Sequence, residues 1–386
     1  MQISALRFDD GRPVRLTLDA GRVTRAEPLI GDSAGLPWIA PGLVDLQVNG
    51  FGGQEFSVAD LTADKVAKIV LEHDAFGVTA ICPTITTNSF EIIYHASRMI
   101  AAAAERPEIG RRIAGIHIEG PYFSPEDGPR GAHPLAHCRR PDWDEFQRFQ
   151  EAAGGRIRIL TMSPEFENAP EFIGRVAASG VVVALGHLNA TADQLRAAVD
   201  AGARFSTHLG NGAHRTLRRH PNYLWDQLAE DRLWASLIVD GHHLPPEVVK
   251  TFVRAKTPQR CILVSDESGL AGLPPGRYAT DLCELEILPD GKLVIAGQDQ
   301  LLAGASRPLG AGVGGVIAFA GVDLAEAIAM TSTRPAQLIG YEAGGLRPGD
   351  RADLVLFDLH GVDRPPATRF EVRATVIAGE FAYGRV

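Results

Sequence analysis

Runs of apolar residues alternate with helix-length amphipathic segments through the middle of this 386-residue chain. Examples of the helical segments are Thr62–Phe76 and Pro245–Ala255. Strands that alternate with helices are typical of βα units around a parallel sheet. Eight strands are predicted, namely Leu43–Asn49, Val78–Ile85, Ile113–Ile118, Ile157–Met162, Val181–Leu185, Ala203–Thr207, Ala235–Val239 and Cys261–Val264. The pattern therefore predicts an α/β fold of the (β/α)₈ TIM-barrel type.

The two ends of the chain have a different pattern, with short alternating runs punctuated by Gly and Asp. Neither end is large enough for a core of its own. We therefore predict that residues 1–42 and 345–386 pair into a small composite β-sandwich domain beside a barrel of residues 43–344. A hairpin insertion at about 270–306 interrupts the barrel pattern and is expected near its catalytic face.

The composition is that of an ordinary soluble protein, with 45% hydrophobic and 22% charged residues. A formal net charge of −9 argues against a nucleic-acid partner. The sequence contains no run of about 18 apolar residues, which a membrane-spanning helix would need. The first residues lack a basic stretch followed by an apolar one. Cys82 and Cys261 lie in apolar runs and are predicted to be buried free thiols. We expect a cytoplasmic protein.

Polar side chains stand at the ends of most predicted strands. The carboxyl ends of barrel strands share one face, where catalytic residues collect. A polar residue at the end of one strand is unremarkable. Polar residues at the ends of nearly all the strands are hard to explain by packing. The residues are Gln47, Asn49, Thr84, Glu119, Glu165, His187, His208, Asp240 with His243, and Asp266.

Glu119, His187 and His208 form the first candidate site. A carboxylate at the end of an apolar strand is costly to bury without a partner. Taken singly, each histidine is more simply a packing or surface residue, and Glu119 a helix cap. Together they provide one carboxylate and two imidazoles, which is the ligand chemistry of an open catalytic zinc site.

Three further residues are candidates for the reaction itself. Asp266 is either a turn residue or a general base that takes a proton from water and passes it to a leaving amine. His133 and His243 are either loop histidines or groups that hold a substrate carbonyl.

The basic segment His214–Pro221 follows the His208 strand. It is either a solvated loop or an anion site, because arginine pairs with phosphate in a bidentate manner. The preceding Asn211–Ala213 could present backbone N–H groups to the same anion.

With these motifs in order, the chain resembles the amidohydrolase superfamily and, within it, the N-acetylglucosamine-6-phosphate deacetylases. The resemblance covers essentially the whole chain. The matching motifs are Pro41–Gly50, His117–Pro121, Gly131–His133, Gly186–His187 with Asn189–Thr191, Thr207–Leu209 with Asn211, Asp240–His243, Ser265–Asp266, Arg334–Ala336 and Gly349–Val355.

The resemblance implies Glu119, His187 and His208 as metal ligands and Asp266 as a base that later acts as an acid. Many amidohydrolases carry His-x-His on the first strand for a second metal. Here that position reads Gln47-Val-Asn49. Amides replace imidazoles poorly, so we expect one divalent metal ion, Zn²⁺ first, with Fe²⁺ or another transition metal as the alternative.

The resemblance also implies substrate contacts by His133, Asn211, Gly212, Arg219 and His243. Where the family carries Tyr-Asn-Ala-Met, this chain reads Gly210-Asn-Gly-Ala213. Arg219 falls where the family places a phosphate-binding arginine supplied by the neighbouring subunit, which implies a homodimer.

The expected reaction is hydrolysis of the N-acetyl group of an N-acetylhexosamine 6-phosphate, first of all N-acetylglucosamine 6-phosphate, to acetate and an amino sugar phosphate. One alternative is an amidohydrolase for a non-phosphorylated or galacto-configured amino sugar, another N-acyl compound or a cyclic amide. A second alternative is a non-catalytic sugar-phosphate-binding barrel, which an intact Asp266 beside an intact ligand set argues against.

Overall fold

The computed structural model describes residues 1–31, 33–279, 284–297, 302, 304–361 and 368–386. The strands in these residues are, in chain order, β1 (Gln2–Arg7), β2 (Pro13–Asp19), β3 (Arg22–Pro28), β4 (Trp38–Pro41), β5 (Leu43–Val48), β6 (Gly50–Phe51), β7 (Gln54–Glu55), β8 (Val78–Thr86), β9 (Ile116–Glu119), β10 (Ile157–Met162), β11 (Val182–Leu185), β12 (Phe205–Ser206), β13 (Trp234–Leu237), β14 (Cys261–Leu263), β15 (Gly276–Ala279), β16 (Glu284–Ile287), β17 (Leu293–Ile295), β18 (Leu354–His360), β19 (Arg369–Ile377) and β20 (Glu380–Gly384).

Helices cover the outside of the barrel, and several of them begin at a residue whose side chain caps the helix. Thr62 accepts a hydrogen bond from the Lys65 amide, and Thr191 with Gln194 forms a capping box. The helices are α1 (Ala63–Glu72), α2 (Phe90–Ala104), α3 (Pro107–Gly110), α4 (Trp143–Ala152), α5 (Ala169–Ala178), α6 (Ala192–Ala201), α7 (Tyr223–Ala229), α8 (Pro246–Lys256), α9 (Gly310–Ala320), α10 (Leu324–Thr331) and α11 (Thr333–Ile339), with 3₁₀ helices at His73–Phe76, Leu135–His137 and Pro258–Arg260. Among the described residues, none of these helices has the length and apolar character needed to span a membrane.

Eight parallel strands form the barrel in the order β14-β13-β12-β11-β10-β9-β8-β5. The predicted fold class is confirmed, and all eight predicted strands are present. The third strand begins three residues later than predicted, at Ile116. Ile113 instead forms an isolated bridge with Ile81, so the apolar run Ile113–Ile118 pairs in two separate pieces.

The barrel closes between its first and last strands through residues that follow β14. The Asp266 amide donates to the Gln47 carbonyl at 3.0 Å, and the Asn49 amide donates to the Glu267 carbonyl at 2.8 Å. Val48 and Glu267 form an isolated parallel bridge. We call residues 45–49 and 265–267 the closing seam, because these few contacts join the two edges of the sheet.

The two ends of the chain share a second sheet, in the order β20-β19-β18-β4-β1-β2-β3. Strand β18 is antiparallel to β4, which is parallel to β1. The predicted composite β domain is present, and its seven strands form one continuous sheet whose residues from both chain ends share one core. The apolar run Ala374–Tyr383 turns back on itself at Ala378 and Gly379, which both have positive φ. The domain limits at 42/43 and 344/345 remain a prediction.

Strand β18 packs on both of its faces. Leu354 and Leu356 belong to the core of the terminal sheet, whereas Val355 and Phe357 belong to the barrel core. Successive side chains of a strand point to opposite faces. One strand therefore attaches the terminal sheet to the barrel.

The region of the predicted insertion contains an antiparallel sheet in the order β15-β16-β17. Arg307 donates to the Asp240 carbonyl at 3.2 Å and to the Asp290 carbonyl at 2.7 Å, so the β16–β17 turn lies beside the loop after β13. Residues 280–283, 298–301 and 303 of the predicted 270–306 insertion lie outside the described residues, as does Cys283. Cys82 and Cys261 are buried free thiols, as predicted.

Candidate active site

Three barrel strands, with β10 between the first two of them, bring Glu119, His187 and His208 together. Glu119 ends β9, and the two histidines follow β11 and β12. Parallel pairing runs from β9 through β10 and β11 to β12, so the strand ends reach the same edge. The His208 Nε2 atom lies 3.0 Å from Glu119 Oε1 and 3.1 Å from His187 Nε2, and His187 Nε2 lies 3.3 Å from Glu119 Oε1. We call these three residues the ligand corner.

The ligand corner fits a divalent metal ion. Four-coordinate zinc, with bonds of roughly 2.0–2.1 Å to nitrogen and oxygen, separates its ligand atoms by about 3.3 Å, close to the three distances here. Two imidazole nitrogens at 3.1 Å have room for at most one proton between them. Burial alone would raise the pKa of Glu119, but its contacts with His187 and His208 hold that pKa well below its usual range. Glu119 is therefore a carboxylate anion.

A hydrogen bond on the side away from the ligand corner fixes the orientation of the His187 ring. Its Nδ1 atom lies 2.8 Å from the Pro129 carbonyl, which can only accept, so Nδ1 carries the proton and Nε2 keeps its lone pair. A Cβ atom at Gly212 would lie 2.6 Å from His187 Nδ1, and one at Gly131 would lie 3.3 Å from its Cε1. Gly212, part of the departure from the family pattern, thus lets its loop pack against the ring.

Backbone strain is concentrated at the site. His187, His208 and Asp266 have φ values of 52°, 30° and 55°, in the left-handed region that side chains rarely adopt. Each such residue costs about 1–2 kcal/mol. They are three of the six non-glycine residues with positive φ in the described chain. Strain of this kind persists only where the surroundings hold it, and it clusters at functional sites.

His133 is the nearest further ligand candidate. Its Nε2 lies 3.2 Å from His187 Nε2, and the ligand atoms of Glu119, His133 and His187 all lie within 4.8 Å of one another. Burial and the proximity of His187 hold the pKa of His133 well below its usual range. His208 remains the third candidate ligand, because its Nε2 contacts both Glu119 and His187.

Asp266 lies on the closing seam, beyond the end of β14. Its Oδ1 accepts a hydrogen bond of 2.7 Å from Asn49 Nδ2. Burial, followed by the charge of Glu119, raises the pKa of Asp266 to about 6. Such a carboxyl can both take and return a proton near neutral pH. The Asn49 contact also explains the polar end of the first strand.

Asp240 organises the loop that carries His243. It accepts hydrogen bonds from the His242 and His243 amides, at 2.8 and 2.9 Å, and from His243 Nδ1 at 2.8 Å. Burial would raise the pKa of Asp240, but the His243 contacts outweigh it and hold the pKa well below its usual range. The loop therefore presents a histidine whose tautomer is set by a carboxylate.

The substrate residues predicted after β12 are only partly brought to the ligand corner. Asn211 donates from its amide to the His208 carbonyl at 2.9 Å. Arg219 is exposed, and no described contact joins it to the corner. His214, read with the basic segment, bridges Tyr223 Oη and Glu126 Oε1, each at 3.0 Å.

Sequence reasoning missed two buried supports. His117 Nε2 lies 2.7 Å from Thr161 Oγ1, which contacts Thr207 Oγ1 at 2.8 Å, so three strands are joined just below the ligand corner. The Ser265 amide contacts the Asp45 carboxylate at 3.2 Å in the closing seam. The sequence signal for this second support was Asp45, a carboxylate inside the apolar run Leu43–Val48.

Residues 38–382 match the amidohydrolase family, and the chain belongs to that family. The expected resemblance to its N-acetylglucosamine-6-phosphate deacetylases is also confirmed. An N-acetylglucosamine-6-phosphate deacetylase of Bos taurus is 34% identical over 359 residues, covering 89% of this chain and 83% of its own.

Two further relatives bear on the substrate. An N-acetylgalactosamine-6-phosphate deacetylase of Escherichia coli O157:H7 is 33% identical over 322 residues, covering 83% of each chain. A Mycobacterium smegmatis N-acetyl-D-glucosamine-6-phosphate deacetylase, solved as a mutant in complex with N-acetyl-D-glucosamine-6-phosphate, superposes with a TM-score of 0.87 at 30% identity and 99% coverage of both chains.

Proposed function

We propose that this protein is a metal-dependent deacetylase that hydrolyses the N-acetyl group of an N-acetylhexosamine 6-phosphate, with N-acetylglucosamine 6-phosphate as the first candidate. The products are acetate and the amino sugar phosphate. The ligand corner beside Asp266 carries the proposal, in a chain whose deacetylase relatives match it over more than four-fifths of its length.

Glu119, His187 and His208 are proposed to hold one divalent ion, with Zn²⁺ ahead of Fe²⁺ or another transition metal. When bound, such an ion polarises the amide carbonyl and makes water more acidic. Imidazole and carboxylate ligands suit zinc. Gln47 and Asn49 supply amides where a second ion would need stronger ligands, and Asn49 is already bonded to Asp266.

Asp266 is proposed to act twice. It first takes a proton from the attacking water, which then adds to the acetamide carbon. It then gives that proton to the departing amine as the C–N bond breaks. A pKa raised to about 6 suits both steps, because the carboxyl is ionised at neutral pH and its acid form is still accessible. Asn49 keeps the carboxylate in one orientation.

Substrate binding is proposed to involve His133, His243, Asn211, Gly212 and Arg219. The two histidines are suited to hold the acetamide oxygen or a sugar hydroxyl, since each is fixed by its surroundings. Arg219, exposed in the single chain, is proposed to bind the phosphate of the neighbouring active site in a homodimer. Cytoplasmic location is part of the same proposal.

The galacto-configured substrate is the second candidate. The E. coli N-acetylgalactosamine-6-phosphate deacetylase is about as similar to this chain as the bovine N-acetylglucosamine enzyme is, at 33% and 34% identity. Gly210 and Gly212 also remove side chains at the loop that is proposed to contact the sugar. Overall identity therefore does not separate the two sugars.

The test is acetate release by zinc-loaded protein from N-acetylglucosamine 6-phosphate, N-acetylgalactosamine 6-phosphate and N-acetylglucosamine. The proposal expects the first sugar to be preferred and the unphosphorylated sugar to be poor. A preference for the galacto sugar would select the second candidate. Equal rates with and without phosphate would overturn the phosphate site, and no acetate from any sugar would overturn the deacetylase. The dimer is tested by sedimentation of the protein and by comparing Arg219→Ala with the parent protein on the phosphorylated substrate.

A further inference from the structure

A buried acid–imidazole pair lies directly behind Asp266. His73 Nε2 lies 3.0 Å from Glu267 Oε2, and each side chain is only 1% exposed. His73 begins the 3₁₀ helix after α1, whereas Glu267 belongs to the closing seam. The pair therefore ties an outer helix to the segment that closes the barrel.

The pair shares a single proton. His73 Nδ1 lies 2.8 Å from the Ile69 carbonyl, which can only accept, so Nδ1 carries its own proton. One further proton must lie between Nε2 and the Glu267 carboxylate, on either atom, for the 3.0 Å contact to be a hydrogen bond. Removal of either partner leaves a buried polar group unpaired.

The backbone on both sides of Glu267 fixes Asp266. The Glu267 carbonyl accepts from the Asn49 amide at 2.8 Å, and the Asp266 carbonyl accepts from the Ala305 amide at 2.8 Å. Asn49 in turn donates its side-chain amide to Asp266 Oδ1. A displacement of Glu267 would therefore move both Asp266 and the residue that orients its carboxylate.

Asp266 needs such support because its backbone is in the left-handed region, at φ 55°. This conformation is unfavourable for a side-chain-bearing residue and persists only where neighbouring contacts hold it. No regular strand pairing performs this task at the seam, where the described contact between Val48 and Glu267 is an isolated bridge.

We propose that His73 and Glu267 are positioning residues that hold Asp266 in its left-handed conformation and in contact with Asn49. The inference rests on the proposed role of Asp266 as the base. Neither His73 nor Glu267 has to touch substrate or metal, because both act through the peptide that carries the base.

The chain provides a matched control in the next residue. Asp74 binds Arg112 through two hydrogen bonds of 2.8 Å, and the two side chains are 10% and 11% exposed. This pair has the same kind of chemistry on the same 3₁₀ helix. It contacts the segment before β9, however, and no described bond joins it to the closing seam. A purely structural role would make the two pairs equivalent.

The experiment compares Glu267→Gln, His73→Asn, their double variant and Asp74→Asn in the zinc-loaded protein. We expect kcat for the preferred substrate to fall about 10–100-fold in Glu267→Gln, as for other groups that orient a reacting residue. KM and metal content should stay within about threefold of the parent. The double variant should lose no more than the worse single variant, because the pair acts as a unit.

In Asp74→Asn, the melting temperature should fall while kcat stays within about twofold of the parent. A crystal structure of Glu267→Gln should show the Asp266–Asn49 hydrogen bond broken or lengthened. If Glu267→Gln does not fold, His73→Gln, which keeps an amide near the position of Nε2, is judged by the same criteria.

Three results would overturn the positioning role: unchanged kcat in Glu267→Gln, an equal loss of kcat in Asp74→Asn, or a loss explained by missing metal. Failure of the proposed function is separate, because it would appear as no acetate release by the parent protein. The crystal structure of the variant would still show whether the pair holds Asp266.

Discussion

The ligand corner and the closing seam lie on the same barrel edge but are built differently. The ligand corner stands on β9 to β12, whose parallel pairing reaches the strand ends and places the ligand atoms of Glu119, His187 and His208 within 3.3 Å of one another. The seam joins β5 and β14 through an isolated bridge and a few side chains. Parallel strand pairing brings the three ligand-corner residues together, whereas the position of Asp266 depends on individual buried contacts.

The largest expected effect comes from the ligand corner. Glu119→Gln removes the anionic ligand and should leave the purified protein with little zinc. Because a bound metal supplies several kcal/mol of transition-state stabilisation, acetate release should fall by about 10⁴-fold or more. Metal analysis and acetate assays measure both quantities.

The same corner distinguishes His208 from His133 as the third ligand. His208→Asn should lower the zinc content much more than His133→Asn does. The opposite order would make His133 the ligand and His208 a substrate contact. Normal zinc in Glu119→Gln would reject the corner as the metal site.

The next effect comes from the seam. Asp266→Asn keeps the size of the side chain but removes the proton acceptor, so kcat should fall by about 10³-fold while zinc content is unchanged. In the parent protein, activity should decline as the pH falls below about 6, because the carboxyl must be ionised to accept a proton. A pH profile of kcat/KM measures this decline. Loss of zinc from Asp266→Asn would show that the closing seam and the ligand corner are not separable.

The pH dependence of stability should also distinguish the closing seam from the ligand corner. Burial raises the pKa of Asp45 to about 7, against hydrogen bonds from Ser265 that lower it. Since the folded state favours the protonated acid, this contribution is fully present below pH 3.8 and is lost as the pH rises through about 7. The loss amounts to about 4 kcal/mol.

Asp45→Asn should remove that dependence. Denaturant curves between pH 4 and 8 give the unfolding free energies of the parent and the variant. As the pH rises, the variant should become more stable relative to the parent. A constant difference would show that Asp45 does not titrate in this range.

The smallest effect is expected at the loop outside both regions. Glu126 holds His214 and Asn189, at 3.0 and 2.6 Å, and so anchors the start of the basic segment. Exposed pairs of this kind contribute roughly 0.2–1 kcal/mol. Glu126→Ala should therefore raise KM for the phosphorylated sugar by about two- to fivefold. KM for the unphosphorylated sugar is the control, and an equal rise there would contradict a phosphate-specific role.

The difference between the two regions also explains what the sequence could predict. Apolar periodicity located the eight strands, and their polar ends located Glu119, His187, His208 and Asp266, because parallel strands bring their ends to one edge. The supports of Asp266 were not predictable in this way. His73 lies in a segment that reads only as an amphipathic helix, nearly two hundred residues before Glu267, and a pairing at that distance has no sequence period.

The composite β domain expected from the chain ends is present, but its strand order was not predictable, for a related reason. Alternating runs predicted the strands but not which edges meet. The insertion of β18 beside β4 joins both halves into one sheet. Such a long-range pairing depends on the packing of Val355 and Phe357 against the barrel, which no local pattern reports.

The position of β18 has a consequence for how the protein is made on the ribosome. Strands β1 to β4 leave the exit tunnel early, but β4 receives its second neighbour only when residues 354–357 have been synthesised. During translation of the intervening barrel, the nascent chain therefore carries an open strand edge, which invites pairing with other chains. Synthesis of β18, rather than completion of the barrel strands, is the event that closes this edge.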